Sequence, residues 1–270
     1  MKKNPKKKLK SKKKLKPKHR YDWQPDLPDQ RDFKFSEKVA APAKVPSSVD
    51  LRESCPPIVN QGQIGSCTGN ALAGHMGFLE IKGVVPETFS GSKKFAPYSR
   101  LFIYYNERLM EGDPGQDGGA QIRDGVKTLS TQGACKEATW KYAATQLFKK
   151  PSVKAYSEGS AHAISTYLRL GSTLEMKQCL ADGYPFVFGF TVYESFESPQ
   201  VAKTGIMPIP AANERVLGGH AVMAVGYNDA NSCFIVRNSW GTQWGQEGYF
   251  LMPFEVMNSK LAQDFWTIRR

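Results

Sequence analysis

In this chain the stretches with helical periodicity precede residue 185, and the stretches dense in β-branched and aromatic residues follow it. Leu72, Met76 and Leu79 recur at helical spacing in Cys67 to Glu80, which closes at Gly83. Leu101, Tyr105 and Leu109 do the same in Pro97 to Met110, and Ile122, Val126 and Leu129 in Ala120 to Gln132, with Gly112 and Gly133 as stops. Ser172 followed by Glu175 forms a capping box and opens a short helix to Asp182. From Pro185 the pattern turns to strand: PFVFGFTVY, HAVMAVGY, SCFIVRNS and GYFLMP, separated by turn residues. Without βαβ alternation or internal repeats, this order predicts an α+β protein with a helical lobe, a sheet lobe and a cleft between them.

The chain has 270 residues, enough for one large domain or two lobes sharing a core. No run approaches the roughly 18 to 20 apolar residues that span a bilayer, the longest candidate being Pro185 to Val192, so no transmembrane segment is expected. The formal charge is +12, but residues 1–20 hold eleven Lys and one Arg without an acid, and the remainder balances at 25 basic and 25 acidic residues. A basic groove on the globular part is therefore not expected. Residues 1–20 are too charged and too poor in apolar side chains to offset chain entropy, and read as a disordered lysine-rich tail able to contact nucleic acid or an acidic membrane. The positive start lacks an apolar stretch after it, so no secretory signal is evident and an intracellular location is favoured.

Residues 21–44 carry Pro25, Pro28 and Pro42 with two aromatic anchors, Trp23 and Phe33, and read as an extended arm or short pro-segment against a domain spanning residues 45–270. Five cysteines, Cys55, Cys67, Cys135, Cys179 and Cys233, are too few for a disulfide scaffold, and no CxxC pair supports a structural metal. One reactive thiol among inert ones is the expectation, with no cofactor.

In Asn60 to Asn70, NQGQIGSCTGN, glycines surround a cysteine entering a helix. A phosphate loop would need a Lys-Ser/Thr ending that is missing. The positive end of a helix dipole also favours a thiolate, which makes Cys67 the candidate nucleophile. Of four histidines, His19 lies in the tail, His75 two turns down the same helix, and His162 without polar company. His220 begins a strand eighteen residues before Asn238, whose amide could orient it as a base.

These motifs resemble the papain and cathepsin family of cysteine peptidases. Gln61 stands six residues before Cys67 in QGQIGSC, HAVMAVGY runs from His220 to Tyr227, and NSWG from Asn238 to Gly241 is followed by Trp244-Gly245 and Gly248-Tyr249. VDLR at Val49 to Arg52 and the pair Gly118-Gly119 agree. The resemblance spans about residues 45 to 252 and implies the papain-like two-lobed fold. It further implies that a Cys67 thiolate, paired with a His220 imidazolium, attacks a peptide carbonyl and passes through a thioester. Gln61 and the Cys67 N–H would hold the oxyanion, Asn238 would orient His220, and Trp240 would shield that bond. Trp244 would wall the leaving-group side, and Gly118 and Gly119 would bind substrate backbone. The competing reading is an inactive binding protein on the same scaffold, targeted by its basic tail. The sequence departs from the family pattern at Ile64, where a bridging cysteine is usual; at Thr68, where an aromatic is usual; and at Gly219, where Asp or Asn precedes the histidine. Cys67 and His220 lie 153 residues apart, which implies an insertion in Ser198 to Leu217. Oligomeric state is left open.

Overall fold

The computed structural model describes residues 17–40, 44–83 and 95–270. Most of the expected disordered tail, residues 1–16, lies outside the described residues. Seven helices are described: α1 (Cys67–Gly83), α2 (Arg100–Met110), α3 (Ile122–Thr131), α4 (Val153–Ser160), α5 (Thr173–Ala181), α6 (Pro199–Thr204) and α7 (Phe254–Met257). Among the described residues none is long and apolar enough to cross a membrane. Helix α1 is buried on every side from Cys67 to Leu79, which makes it the central rod of the helical lobe, packed on α2 and α3. Caps fix where the others start. Ser99 Oγ accepts from the N–H of Phe102, and Ser172 Oγ from that of Glu175 at 3.2 Å. The capping box is only half made, since the Glu175 carboxylate takes the N–H of Gly171 instead.

The strands are β1 (Ser48–Asp50), β2 (Thr166–Arg169), β3 (Phe186–Tyr193), β4 (Val216–Asn228), β5 (Cys233–Arg237), β6 (Tyr249–Pro253) and β7 (Ala262–Arg269). They form one antiparallel sheet in the order β2-β7-β3-β4-β5-β6, with β1 added along β4. The fold is α+β, as the sequence predicts. Strands β2 and β7 and helix α4 were not anticipated: β2 has four residues, and β7 carries Gln263 and Asp264 inside a strand, which masks its alternation. Between β3 and β4 come a 3-10 turn at Glu194–Glu197 and then α6, the latter within the expected insertion of Ser198 to Leu217.

Strands β3 and β4 divide the two cores. Val187, Ala221, Met223 and Val225 pack with α1, while Phe186, Phe188, Phe190, Val222 and Ala224 pack with the aromatics of the sheet lobe. The period of two along each strand sends alternate residues to opposite faces, both buried.

Residues 17–40 are an integral part of this body. Phe35 is fully buried, whereas Phe33 is half exposed, so the second aromatic anchor is Phe35 and not Phe33. Beside it lies a buried ion cluster. Arg123 grips Asp32 through Nε at 2.8 Å and Nη2 at 2.6 Å, and Arg169 reaches Asp32 and Asp264 at 2.7 Å each. Asp26 accepts from the Trp266 indole N–H at 2.8 Å and from the Arg123 backbone N–H at 3.1 Å. The arm is tied down by charge that cannot be left uncompensated. Asp32→Ala should therefore lower unfolding stability by about 3 to 5 kcal/mol, because two cations stay behind without their shared carboxylate. A urea melt checks this; a loss within a few tenths of a kcal/mol would mean that water enters the cluster.

Candidate active site

Cys67 is the first residue of α1, with its thiol buried. Cys67 packs in the same core as Ala221, the residue after His220 in β4, and α1 thereby meets the sheet at the cleft. His220 Nε2 lies 2.9 Å from Asn238 Oδ1. That leaves Nδ1 buried and without a partner among the described residues, free to exchange a proton with a nucleophile. The Asn238 oxygen also accepts the Ser239 N–H at 2.8 Å, which fixes the amide's flip. Trp240 stacks on His220 with centroids 4.9 Å apart, and Trp244 meets Trp240 edge-on at 4.9 Å. Gln61 is buried and held at both ends. Its Nε2 donates to Ile64 O at 3.1 Å, and its Oε1 accepts from Ser239 Oγ at 2.6 Å, so the amide has a second N–H to donate.

The two family departures nearest the nucleophile have local reasons. Thr68 Oγ1 donates to the buried carboxyl of Glu107 at 2.6 Å, a polar anchor in place of an aromatic. Burial holds that carboxyl well above the usual range. Gly219 lacks a side chain where the arm crosses it: Trp23 N–H donates to Gly219 O at 2.9 Å, and a Cβ there would press on the Trp23 ring.

The cleft is filled by the chain's own Lys18 to Gln24. Glu197 Oε1 accepts from the backbone N–H of Lys18 at 2.7 Å, that of His19 at 3.2 Å, and Tyr21 Oη at 2.7 Å. His19 lies flat on Trp240 at 3.9 Å, and Tyr21 meets both His220 and Trp240 edge-on. Arg20 donates to Asp117 O at 2.7 Å, Gln24 N–H to Ala120 O at 3.1 Å, and the Gln24 side chain to Gly118 O at 2.8 Å. Gly119 has φ +83, and a Cβ there would fall onto the Asp22 carbonyl. Its own N–H is taken by Tyr104 Oη at 3.0 Å. Segment and cleft are shaped to each other through glycine.

With the cleft filled, burial sets the electrostatics. Burial pushes the Cys67 thiol up to about 12, and burial again lowers His220 to about 4 against a smaller upward pull from Asn238. The sequence led us to expect a thiolate and imidazolium pair; with the segment docked, both groups are neutral. Desolvation outweighs the helix dipole while water is kept out.

The papain family cysteine protease model matches residues 45–266. The chain belongs to that family. It is 44% identical over 221 residues to an uncharacterized peptidase C1-like protein of Acanthamoeba polyphaga mimivirus, covering 78% of this chain and 69% of that one. Cysteine proteinase 1 of Entamoeba histolytica is 30% identical over 230 residues, covering 82% and 68%. Among solved structures, xylellain, a cysteine protease from Xylella fastidiosa, superposes with a TM-score of 0.84 at 40% identity, covering 95% of this chain and 98% of that one. This papain-family chain is thus a cysteine-type peptidase acting on peptide or protein substrates. Among the described residues no cluster of His, Cys, Asp or Glu could hold a metal ion.

Cys67, His220, Asn238, Gln61, Trp240, Trp244, Gly118 and Gly119 all line or support the cleft. What the sequence did not disclose is the set that meets the arm: Glu197, Tyr21 and His19. His19 was assigned to the tail, yet contacts begin at Lys18, before the expected start of the arm at residue 21. The partners lie almost 180 residues apart, and no local pattern links them. A satisfied or solvent-facing ring is the ordinary reading of the remaining histidines, and His162 fits it while His75 does not. His162 Nδ1 meets Arg270 at 2.7 Å, but His75 is buried with neither nitrogen partnered among the described residues, and burial holds it neutral.

Proposed function

We propose that this peptidase uses Cys67 as nucleophile, His220 as base and then acid, Asn238 as the orienter, and Gln61 with the Cys67 N–H as the oxyanion donors. The observation that carries this reading is the His220 to Asn238 bond at 2.9 Å, which leaves Nδ1 buried and without a partner among the described residues, on the strand that packs against the helix opened by Cys67. The freed Cys67 gives its proton to His220 Nδ1 and attacks the peptide carbonyl; the carbon–nitrogen bond breaks as His220 returns the proton to the leaving amine. Water, deprotonated by the same ring, then cleaves the thioester. Trp240 covers the His220–Asn238 bond, and Trp244 backs it.

The docked Lys18 to Gln24 makes the described state a latent one, since the segment lies over His220 and along Gly118 to Ala120. Tail residues 1–20 retain their proposed role in contacting polyanions. Removing residues 1–16 should abolish salt-sensitive retention on immobilised nucleic acid, while leaving Lys18 and its clamp in place.

An epoxide or vinyl-sulfone electrophile, applied to the chain and to Cys67→Ala, tests the assignment. One label per chain, absent from Cys67→Ala and from the four other free thiols, is the expected result. Labelling of Cys67→Ala at the wild-type rate would reject it.

A further inference from the structure

Helix α2 sends two buried side chains to the loop that precedes the cleft glycines. Tyr104 is fully buried, and its hydroxyl lies 2.7 Å from Asp117 Oδ1. Arg108, also buried, donates to Pro114 O at 3.1 Å and to Gln116 O at 2.6 Å, with its guanidinium over the Tyr104 ring at 4.2 Å. The loop that leads to Asp117 is thereby pinned to α2. Burial and the bond to Asp117 raise Tyr104 above the ordinary phenol range, so the hydroxyl keeps its proton and donates it to the carboxylate. Its oxygen then accepts the Gly119 N–H at 3.0 Å. On the other side, the two Asp117 oxygens share the Gly65 N–H at 3.1 and 3.2 Å. Gly65 lies between Gln61 and Cys67, in the loop that supplies both oxyanion donors. One run of hydrogen bonds therefore joins Gly65, Asp117, Tyr104 and Gly119. It starts beside Ile64, where the family's bridging cysteine is usual, in a chain whose five cysteines are all free.

From this we infer that Asp117 is a positioning residue of the peptidase: with Tyr104, its carboxylate cross-ties the loop that delivers Gln61 and Cys67 to the loop that presents Gly118 and Gly119. The inference rests on the proposed roles of those four residues and adds the group that sets their spacing. Oxyanion donors act only when they are held where the charge develops, and a shift of about an ångström forfeits much of their effect. Without the carboxylate, the Gly65 N–H and the Tyr104 hydroxyl both lose their acceptor, and each loop relaxes on its own. The docked segment reaches Asp117 from outside. Arg20 Nη2 donates to its backbone O at 2.7 Å and lies 3.6 Å from Oδ2, yet both bonds of the tie stay in place. Being made of hydrogen bonds, the tie holds in reducing surroundings, where a disulfide would open.

The test compares Asp117→Ala, Asp117→Asn and Tyr104→Phe in the full-length chain. Every protein, the reference included, carries Arg20→Ala and Glu197→Ala, so the loss of the segment's hold on Asp117 and on the opposite wall is common to the set. Asp117→Ala should lower kcat per titrated Cys67 by about ten- to a hundredfold. Capture of Cys67 by iodoacetamide should stay within about threefold, because alkylation forms no oxyanion. Asp117→Asn keeps an oxygen for Gly65 and Tyr104, and should restore kcat to within about threefold of the reference. Tyr104→Phe cuts only the Gly119 half, so KM for a peptide should rise about three- to tenfold with kcat nearly kept. A thermal melt shows which variants fold; should Asp117→Ala not fold, Tyr104→Phe decides, and an unchanged KM there rejects the tie. Asp117→Ala with the reference kcat would overturn the inference. Equal losses in Asp117→Ala and Asp117→Asn would overturn it too, by assigning the effect to charge instead of hydrogen bonding. Titration of Cys67 keeps these outcomes apart from a failure of the catalytic assignment, in which Cys67→Ala would still be labelled and would still cleave peptide.

Discussion

Deleting residues 1–24 should speed alkylation of Cys67 at pH 7 by about two to three orders of magnitude. In the closed state burial holds the thiol near 12 against an ordinary value of 9.0, and thiolate, the reactive form, falls tenfold for each unit of that rise. Removing the segment admits water to Cys67, restores the benefit of the α1 N-terminus, and lets His220 accept the proton. The same cause gives a pH signature. His220 sits at about 4 when covered, below its usual 6.5, so the covered form resists a proton that the open form takes. Stability of docking is therefore complete above pH 6.5 and is lost as pH falls toward 4. Between pH 7 and pH 5 the equilibrium should move toward the open form by about ten- to thirtyfold. His19, a residue of the segment lowered chiefly by its burial on docking against Trp240, adds in the same direction. Rates of iodoacetamide capture in the full chain and the deletion, measured from pH 5 to 8, check both points. Equal rates in the two proteins at pH 7 would mean that the segment does not control access.

Much of the fold was legible because it rests on local signals. Helix α1 could be bounded by Gly83 and its apolar spacing, and the four strands after Pro185 by their β-branched runs and turns. Strand β7 was not, because the residue that breaks its alternation, Asp264, is satisfied by Arg169 and by the backbone of Asp26, nearly a hundred and more than two hundred residues away. The same holds for the site. Gln61, Cys67, His220 and Asn238 stand in motifs with fixed spacing, so chemistry constrains them within short windows. The occupant of the cleft does not: Tyr21 finds Glu197 at a separation of 176 residues, and Trp23 finds a glycine on β3 whose only mark in the sequence is the interruption of PFVFGFTV. Charge counting placed the boundary of the tail at residue 20, yet the Lys18 backbone N–H is taken by Glu197 and the Arg20 guanidinium pairs with Asp22 and Asp117, contacts that counting cannot register.

His220→Ala should reduce turnover of any peptide by about 10⁴-fold or more, even in the chain freed of residues 1–24, whereas Asn238→Ala should keep measurable activity. With His220 gone, the buried Glu107 offers no base in its place, since it is committed to Thr68 Oγ1. The leaving amine then departs without a proton donor, and the thiol has no base to ionise it. Asn238 acts differently. Its Oδ1 holds one nitrogen of the ring, and Trp240, stacked at 4.9 Å with an interplanar angle of 24°, holds the plane. Losing the amide leaves the ring oriented by stacking but lets its protonated nitrogen change sides, so part of the population presents the wrong tautomer. The loss should appear in kcat with KM little changed, because Asn238 touches no substrate. Steady-state kinetics of the two variants in the freed chain separate the roles. Turnover in His220→Ala equal to that in Asn238→Ala would show that the imidazole does no more than fill space, and the proton transfers assigned to it would have to be carried by another group.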